Sequence, residues 1–139
     1  MANWALFSRL HRAVYRKTGG RVGARMAGYD MLLLTTTGRK SGLERTIPLA
    51  CYPRGRDIVI VASNNGQDRP PAWWLNLQKN PDASVRFGRE ERRMHAHEAT
   101  GPERDELWPW VKEKNPRYVT YENKTSRVIP VVVLKDIPS

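Results

Sequence analysis

Short apolar runs rich in β-branched and aromatic residues recur along the chain, and Gly, Pro or Asp bounds them. Such runs are typical of strands, and the short connections between consecutive runs favour hairpins over helical crossovers. Pro130 cannot donate to a sheet, which places the last run at an edge or a bulge. The pattern predicts strands near 31–37, 45–52, 57–63, 83–87, 92–99 and 128–134.

The opening segment has apolar residues at helical spacing. Trp4, Phe7 and Val14 share one face, and Arg and Lys fill many of the other positions, so residues 1–28 are expected to form a basic amphipathic helix followed by a linker. Such a helix lies either on an anionic membrane surface or over the domain with its basic face in solvent. Residues 1–17 are therefore a candidate for peripheral membrane contact.

Two further helices are expected between the strands. Pro70-Pro71 presets the first turn of a helix over 72–79, and Thr100 with Glu103 has the spacing of a capping box. A chain of 139 residues has the length of one domain. The sequence therefore predicts a single α+β domain over residues 1–139, mostly antiparallel and built on a barrel or half-barrel.

Positive charge is concentrated in the first part of the chain. The net charge is +10, and residues 1–56 hold 11 Lys and Arg against 2 Asp and Glu, so this part carries +9 of it. An anionic partner is expected there: nucleic acid, a membrane surface or an acidic small molecule. No apolar run is long enough to span a membrane, and no signal-peptide core opens the chain. A cytoplasmic protein is expected, at the inner face of the cell membrane if the first helix binds lipid.

The turn after the first predicted strand is the most informative feature. It reads Gly38-Arg39-Lys40-Ser41-Gly42 and lies between two apolar runs. Glycine lets backbone N–H groups approach an anion, Arg supplies a planar pair of donors, and Lys supplies a compact charge. The loop suits a phosphate or carboxylate ligand, although a solvated basic hairpin tip has the same pattern. A nucleoside-triphosphate loop is excluded because Arg39 interrupts that motif and a strand follows it.

Other reactive side chains do not form a strong catalytic motif. Cys51 lies in an apolar run without an activating His and is expected to be a small buried hydrophobe. His95 and His97 would face the same side of a strand, but they lack a third ligand and lie beside acidic residues. No metal is predicted.

Four aromatic residues have two interpretations each. Trp73 and Trp74 either fill the core or stack on a flat ring system, and the core interpretation is favoured. Tyr118 and Tyr121 lie in a polar stretch over 115–122, where they are suited to wall a pocket or donate protons.

Several separated motifs, taken in order between Met31 and Leu134, resemble the deazaflavin-dependent nitroreductase family. The resemblance implies a split β-barrel that binds coenzyme F-420, an 8-hydroxy-5-deazaflavin with a phosphate and a glutamate-rich tail. It also implies an oxidoreductase that passes a hydride from the reduced coenzyme to an electron-poor organic acceptor. The motifs lie at 34–42, Arg45 with Pro48-Leu49, 61–63, 71–77, 116–118 and 127–133.

The resemblance also implies where the cofactor lies. The loop cations would bind its phosphate and carboxylates, the segments at Pro48 and 62–64 would lie against its ring, and the helix with Trp73-Trp74 would border it. Flavin mononucleotide is the alternative cofactor, because related split barrels bind it. The implied cofactor-binding residues are Arg39, Lys40, Ser41, Gly42, Leu43, Glu44, Arg45, Pro48, Ala62, Ser63, Asn64, Trp73 and Trp74.

The acceptor side of the site follows from the same resemblance. Tyr118 matches a family tyrosine at the substrate pocket and is implied to position the acceptor or donate a proton, with Ser63 as the second catalytic candidate and Tyr121 as a further pocket residue. The family's nitroimidazole-reducing member has tyrosines where this chain has Ala50 and Asn115. Quinones or enones are therefore favoured over nitroaromatic compounds as acceptors.

Two other functions fit the sequence. A non-catalytic binder or carrier of the deazaflavin would keep the Arg39-Lys40 loop but show no turnover. A basic nucleic-acid-binding module would use barrel aromatics and the positive first part, but no recognised nucleic-acid motif occurs, so no nucleic acid is expected. The expected partner is a small-molecule electron acceptor of a monomer or homodimer.

Overall fold

The computed structural model describes residues 25–26 and 29–138, with the backbone alone described for 25–26. Within these residues the chain forms eight strands, three α-helices and one 3-10 turn. They are β1 (Arg25–Met26), β2 (Tyr29–Thr37), β3 (Glu44–Ala50), β4 (Tyr52–Arg54), β5 (Asp57–Val61), the 3-10 turn (Asn64–Gly66), α1 (Ala72–Lys79), β6 (Asp82–Phe87), β7 (Glu90–Glu98), α2 (Gly101–Lys114), α3 (Arg117–Lys124) and β8 (Val131–Asp136). The helix expected over residues 1–17 lies outside the described residues.

The strands form one antiparallel ladder that closes on itself. Its order is β3-β2-β6-β7-β8-β5-β4, with β1 pairing to the start of β2. β3 and β4 are separated only by Cys51, whose N–H donates to Asp30 O at 2.9 Å, while Tyr52 already pairs with Val59 of β5. The chain itself thus joins the two ends of the ladder. The α+β split β-barrel with flanking helices is confirmed, and the single strand expected over 45–52 is divided at Cys51.

Residues 58–61 of β5 and 131–134 of β8 are all apolar, and both faces of these two segments are buried. Ile58 and Ile60 of β5 belong to the interior cluster, which also contains Trp73 and Trp74 of α1. Alternate residues of the same strands face outward, where α2 and α3 cover them. α1 therefore closes the barrel interior, and α2 with α3 builds a second core on the outside.

The last strand is not at an edge. β8 pairs with β5 on one side and with β7 on the other. Pro130 precedes the first residue of the strand, so its missing N–H removes no ladder bond, and its carbonyl accepts a hydrogen bond from Ala62 N–H at 2.9 Å. The prediction of an edge or bulge was wrong because it counted Pro130 as a strand residue.

The helices agree with the sequence in part. α1 occupies the residues predicted for it, and α2 follows Thr100 as expected, but the capping box does not form. The Thr100 side chain makes no cap hydrogen bond, and the Glu103 carboxylate contacts His97 Nε2 at 2.9 Å instead. α3 was missed, because 115–122 was interpreted as a polar stretch. None of the helices described is both long and apolar enough to cross a membrane.

Candidate functional site

A tight cationic loop joins β2 to β3. Gly38 N–H donates to Leu43 O at 2.7 Å, and Gly42 N–H donates to Gly38 O at 2.9 Å. A Cβ on Gly38 would lie 2.8 Å from Ser41 Oγ, and Gly42 has φ +73°, a left-handed conformation that favours glycine. Ser41 Oγ accepts a hydrogen bond from Leu43 N–H at 3.1 Å. The two glycines identified in the sequence therefore set the shape of the loop.

The loop is fastened to α1 through Asn76, a polar residue that is only 4% exposed. Asn76 Oδ1 accepts hydrogen bonds from the Arg39 main-chain N–H at 3.1 Å and from Arg39 Nη1 at 3.3 Å. Asn76 Nδ2 donates to Thr36 Oγ1 at 3.0 Å, and Lys79 Nζ donates to Arg39 O at 2.8 Å. Arg39 is thus held before a ligand binds, which lowers the entropy cost of binding.

The rest of the loop is exposed to solvent. Residues 40–45 are all exposed, and the side chains of Lys40 and Arg45 form neither a hydrogen bond nor an ion pair with any residue that the structure describes. Glu44, the acidic residue of this segment, lies opposite Thr37 at the start of β3. Two cations without a carboxylate partner in this part of the chain are well placed to bind an anionic ligand.

Pro48 lies at a position of β3 where a main-chain N–H group would form no hydrogen bond with β2. Hydrogen-bonded and non-hydrogen-bonded pairs alternate in an antiparallel ladder. The bond from Cys51 N–H to Asp30 O fixes this alternation, so Leu33 and Pro48 form a non-hydrogen-bonded pair. Among the described strands β3 pairs with β2 alone. The second edge of β3, on the side of Pro48 that faces away from β2, therefore has no strand partner there.

α1 begins without a side-chain cap. Pro71 holds the N-cap position, and the N–H groups of Trp74 and Leu75 donate to its carbonyl. The N–H groups of Ala72 and Trp73 belong to the first turn and have no acceptor within the helix, so this end suits an anion. Trp73 and Trp74 are 6% and 7% exposed. Their core interpretation is confirmed, and their place beside a cofactor stays a prediction.

The turn after β5 has a strained backbone. Asn64 and Asn65 have φ values of 46° and 57°, and Gly66 follows at φ +77°. Left-handed backbone costs energy for residues other than glycine, so the surroundings must hold this turn in place. Gly66 packs against α3, since an added Cβ would lie 2.9 Å from Tyr121 Cα. The turn and α3 are therefore in direct contact.

Arg127, in the segment before β8, holds the same turn from outside. Its guanidinium donates to the carbonyl oxygens of Ala62 at 3.2 Å, Ser63 at 3.0 Å and Gln67 at 2.9 Å. Burial lowers the pKa of this guanidinium. Asn64 Nδ2 closes the loop further by donating to a carbonyl five residues later, at 2.8 Å. The backbone of 62–64, expected to lie against the cofactor ring, is therefore fixed by the protein.

Tyr118 is 5% exposed and belongs to a buried chain of hydrogen bonds. Its hydroxyl accepts a hydrogen bond from Tyr52 OH at 2.8 Å, and Tyr52 OH accepts one from Asn115 Nδ2 at 3.0 Å. Burial raises the pKa of both phenols, that of Tyr118 well above its ordinary value. The Tyr121 ring meets the Tyr118 ring edge-on at 6.2 Å. Tyr118 and Tyr121, which were expected to wall a pocket, thus pack in the second core outside the barrel. Their contact with an acceptor stays a prediction.

Cys51 and the strand histidines have ordinary structural surroundings. Cys51 is buried, as expected, and its burial raises the pKa of the thiol, which disfavours the reactive thiolate. His95 Nδ1 lies 2.8 Å from Asp82 Oδ1, and His97 Nε2 lies 2.9 Å from Glu103 Oε1. Each histidine therefore has an acidic neighbour of its own.

A cavity of about 270 Å³ opens on the outer face of β2 and its neighbours. It is lined by Leu33, Thr35, Thr46, Ser84, Arg86 and Glu91. None of the residues expected from the sequence to form the site lines this cavity, so we do not assign the candidate site to it.

α1 connects the two groups of site residues. Arg39 of the loop contacts Asn76 of α1, the tryptophans of α1 share the interior cluster with Ala62, and the turn beyond Ala62 contacts Tyr121. No hydrogen bond, ion pair or ring contact between described residues joins the loop directly to Tyr118. The candidate site therefore comprises the loop, the start of α1 and the turn after β5, which these contacts connect, together with the second edge of β3.

Sequence reasoning missed three residues that position this surface: Asn76, Arg127 and Tyr52. Asn76 carries a signal, because it is an amide between Leu75 and Leu77 on a short helix whose neighbours are apolar. Arg127 opens the motif at 127–133, but its partners are distant in the sequence and no role was assigned to it, and Tyr52 carries no signal for the same reason.

Comparison with known proteins gives consistent relatives. The family model for F420H(2)-dependent quinone reductases matches residues 7–136. An F420H(2)-dependent quinone reductase of Mycobacterium tuberculosis is 44% identical over 133 residues, which cover 91% of this chain and 87% of that protein. The solved structure of an F420-H2 dependent reductase (FDR-A) has a TM-score of 0.70 and 37% identity, covering 76% of this chain and 93% of its own. A solved domain-swapped dimer has a TM-score of 0.73 and 32% identity, covering 96% of this chain and 98% of its own.

Proposed function

We propose that this chain, which belongs to the F420H(2)-dependent quinone reductase family, reduces a quinone with reduced coenzyme F-420. Reduction of a quinone to a hydroquinone takes two electrons and two protons. The coenzyme, when bound, supplies a hydride, which carries both electrons and one of the protons. The residues of the chain then have to bind the coenzyme, orient the acceptor beside it and stabilise the charge that the acceptor gains.

The anchored cationic loop carries this proposal. Arg39 is fixed by Asn76, while the side chains of Lys40 and Arg45 have no hydrogen-bond or ion-pair partner among the residues described. A solvated hairpin tip has no need of such an anchor. Coenzyme F-420 bears a phosphate and a glutamate-rich tail, and planar or compact cations held in place suit both groups. We assign the phosphate and tail to these three residues, with the backbone of residues 41–44 completing the cradle.

Three rigid elements suit the flat ring of the coenzyme. The second edge of β3 at Pro48 has no strand partner among the described strands, the turn at 62–64 is held by Arg127, and Ala62 shares the interior cluster with Trp73 and Trp74 of α1. Rigid surroundings hold two reactants close together and in the correct orientation. This lowers the entropic part of the activation barrier. We propose that the ring lies here, with Trp73-Trp74 bordering it.

We propose Tyr118 as the residue that positions the acceptor, with Tyr121 beside it and Ser63 as the second candidate. Quinones and enones are preferred over nitroaromatic compounds. Ala50 supplies only a small side chain beside the outer core, and Asn115 is 5% exposed and turned inward to Tyr52. Neither position therefore adds a further hydroxyl group for binding a nitro group.

The test is anaerobic oxidation of reduced F-420, followed by its absorbance, with menadione, a cyclic enone and a nitroimidazole as acceptors. We expect turnover to be fastest with menadione. Binding of the coenzyme without turnover of any acceptor would support the carrier function instead. Tight, steeply salt-dependent DNA binding in the absence of coenzyme binding would support the nucleic-acid module.

Two further parts of the proposal concern partners. The relative that forms a domain-swapped dimer supports a homodimer over a monomer, and light scattering on the purified chain tests this. The basic, amphipathic sequence of residues 1–17 supports contact with anionic lipid. Sedimentation with anionic vesicles, and its loss with neutral vesicles or after deletion of these residues, tests the second part.

A further inference from the structure

We infer that Asn115 and Tyr52 are positioning residues that fix the direction of the Tyr118 O–H bond, so that Tyr118 donates a hydrogen bond to the acceptor oxygen that gains negative charge. The inference deepens the proposed function and rests on it. It is carried by the one-way order of a buried chain of hydrogen bonds that runs from Asn115 through Tyr52 to Tyr118.

The order starts at a fixed amide. Arg117 N–H donates to Asn115 Oδ1 at 3.2 Å, which decides which end of the amide is the oxygen. Asn115 Nδ2 then faces Tyr52 OH at 3.0 Å, and an amide nitrogen can only donate. The Tyr52 oxygen must therefore act as an acceptor toward Asn115.

The next hydrogen bond joins the two hydroxyl groups. Tyr52 OH, whose oxygen accepts from Asn115, donates to Tyr118 OH at 2.8 Å. Tyr118 accepts this bond, and no described residue accepts the hydrogen of Tyr118 in turn. A phenol that accepts one strong hydrogen bond becomes a better donor in the other direction. The chain thus ends in a hydroxyl group with its hydrogen left for a ligand.

Packing keeps the three groups in place. Asn115, Tyr52 and Tyr118 are 5%, 4% and 5% exposed, and the two phenol rings meet edge-on with centroids 5.9 Å apart. Trp108 packs on the Tyr118 ring at 6.1 Å. Because the rings cannot swing out, the chain of hydrogen bonds is what sets the torsion of the Tyr118 hydroxyl.

Tyr118 acts in this scheme as a hydrogen-bond donor that keeps its proton. Burial raises the pKa of Tyr118 well above its ordinary value, which opposes formation of a phenolate. Donors aimed at an oxygen where charge develops stabilise the transition state without transferring a proton. The second proton of the hydroquinone comes from solvent. Together with the two electrons and the one proton that the hydride carries, it balances the reduction.

The first experiment compares turnover of menadione by Tyr52→Phe, Tyr118→Phe and the double variant. We expect each single variant to lower kcat about five- to tenfold, with little change in KM for the coenzyme. The double variant should be no slower than Tyr118→Phe, because Tyr52 acts only through Tyr118. Thr120→Val, which removes an exposed hydroxyl group of α3 that is not part of these hydrogen bonds, is the control. Losses that multiply in the double variant would overturn the inference, as would a Tyr118→Phe variant with full activity.

Asn115→Asp tests the direction of the chain. An ionised carboxylate accepts a hydrogen bond from Tyr52 and so turns its hydrogen away from Tyr118, while a protonated carboxyl group can donate as the amide does. We expect turnover of this variant, relative to the unaltered protein, to recover as the pH falls. A purely structural role predicts the same loss at every pH, and that result would contradict the inference.

A measurement without coenzyme separates this inference from the proposed function. The ring-carbon NMR signal of Tyr118, in protein with 13C-labelled tyrosine, is followed as menadione is added. We expect a shift in the unaltered protein that shrinks in Tyr52→Phe. The shift without any oxidation of reduced coenzyme would count against the proposed function alone. The same shift in Tyr52→Phe, or no shift in either protein, would refute the positioning role.

Discussion

Asn76 Oδ1 accepts two hydrogen bonds from Arg39, one from its main-chain N–H and one from its guanidinium. One helix residue therefore sets both the path of the loop backbone and the direction of its charge. A neutral amide does this without neutralising the arginine, whereas a carboxylate at the same place would compete with an anionic ligand.

Asn76→Ala should weaken F-420 binding about tenfold, because Arg39 loses its anchor and must be ordered by the ligand. The free energy of unfolding should fall by about 1–3 kcal/mol, since buried partners of Asn76 lose their hydrogen bonds. Calorimetric titration and urea unfolding measure the two effects. Gln78→Ala, an exposed amide on the same helix, should change neither. Equal coenzyme affinity in the two variants would remove Asn76 from this role.

Lys40→Ala and Arg45→Ala should each weaken coenzyme binding by about 1.5–3 kcal/mol, because each loses a charge-assisted contact. The loss should shrink in high salt, which screens exposed charges. Arg89→Ala is the control, since it removes the same charge from the exposed turn between β6 and β7. Measuring the coenzyme affinity of each variant at low and at high salt tests this prediction. A loss as large in Arg89→Ala would show that only net charge matters.

Arg127→Lys should slow quinone turnover and lower the free energy of unfolding by about 1–3 kcal/mol. Lysine keeps the charge, but its three donors are on one nitrogen atom, whereas the guanidinium reaches the three carbonyl groups from two nitrogen atoms, Nε and Nη2. The strained turn after β5 then loses its outer support. Arg117→Lys is the control, because that side chain is exposed. Unaltered turnover in Arg127→Lys would mean that the turn needs no such support.

The Glu122 carboxylate should make a pH-dependent contribution to the free energy of unfolding. Trp108 Nε1–H donates to it at 2.6 Å, and this hydrogen bond lowers the pKa of Glu122. A group whose pKa is lower in the folded state contributes stability above its unfolded pKa. That contribution is lost as the pH falls below about 4.5, the ordinary value, and through the lowered pKa.

Glu122→Gln should therefore lower the urea midpoint at pH 7 and have a smaller effect at pH 3, which is below the ordinary pKa of 4.5, so that part of the stabilising contribution has been lost. Glu113→Gln, an exposed residue of α2, should have no such pH dependence. Equal effects of Glu122→Gln at both pH values would contradict the assignment.

Local signals explain what the sequence could predict. The cationic loop was found because its glycines and cations lie within five consecutive residues, and the structure uses both glycines to shape it. α1 was found because Pro70-Pro71 marks its start. The Trp73-Trp74 burial follows from the size of these side chains in a small domain.

Long-range pairing explains what the sequence could not predict. The switch of partner at Cys51 depends on β2 and β5, which no composition at 45–52 encodes. The bonds from Arg127 to 62–67 and from Tyr52 to Tyr118 join residues far apart in the chain. Burial of a polar side chain with a distant partner becomes visible only once the barrel has closed.

Cys51 gives the protein a natural reporter of barrel opening. Its thiol is 1% exposed at the joint between β3 and β4, and burial holds it in the unreactive form. An alkylating reagent can reach it only when the two ends of the ladder separate. The rate of labelling therefore measures how often this joint opens, and a ligand that bridges the loop and the turn should slow that rate.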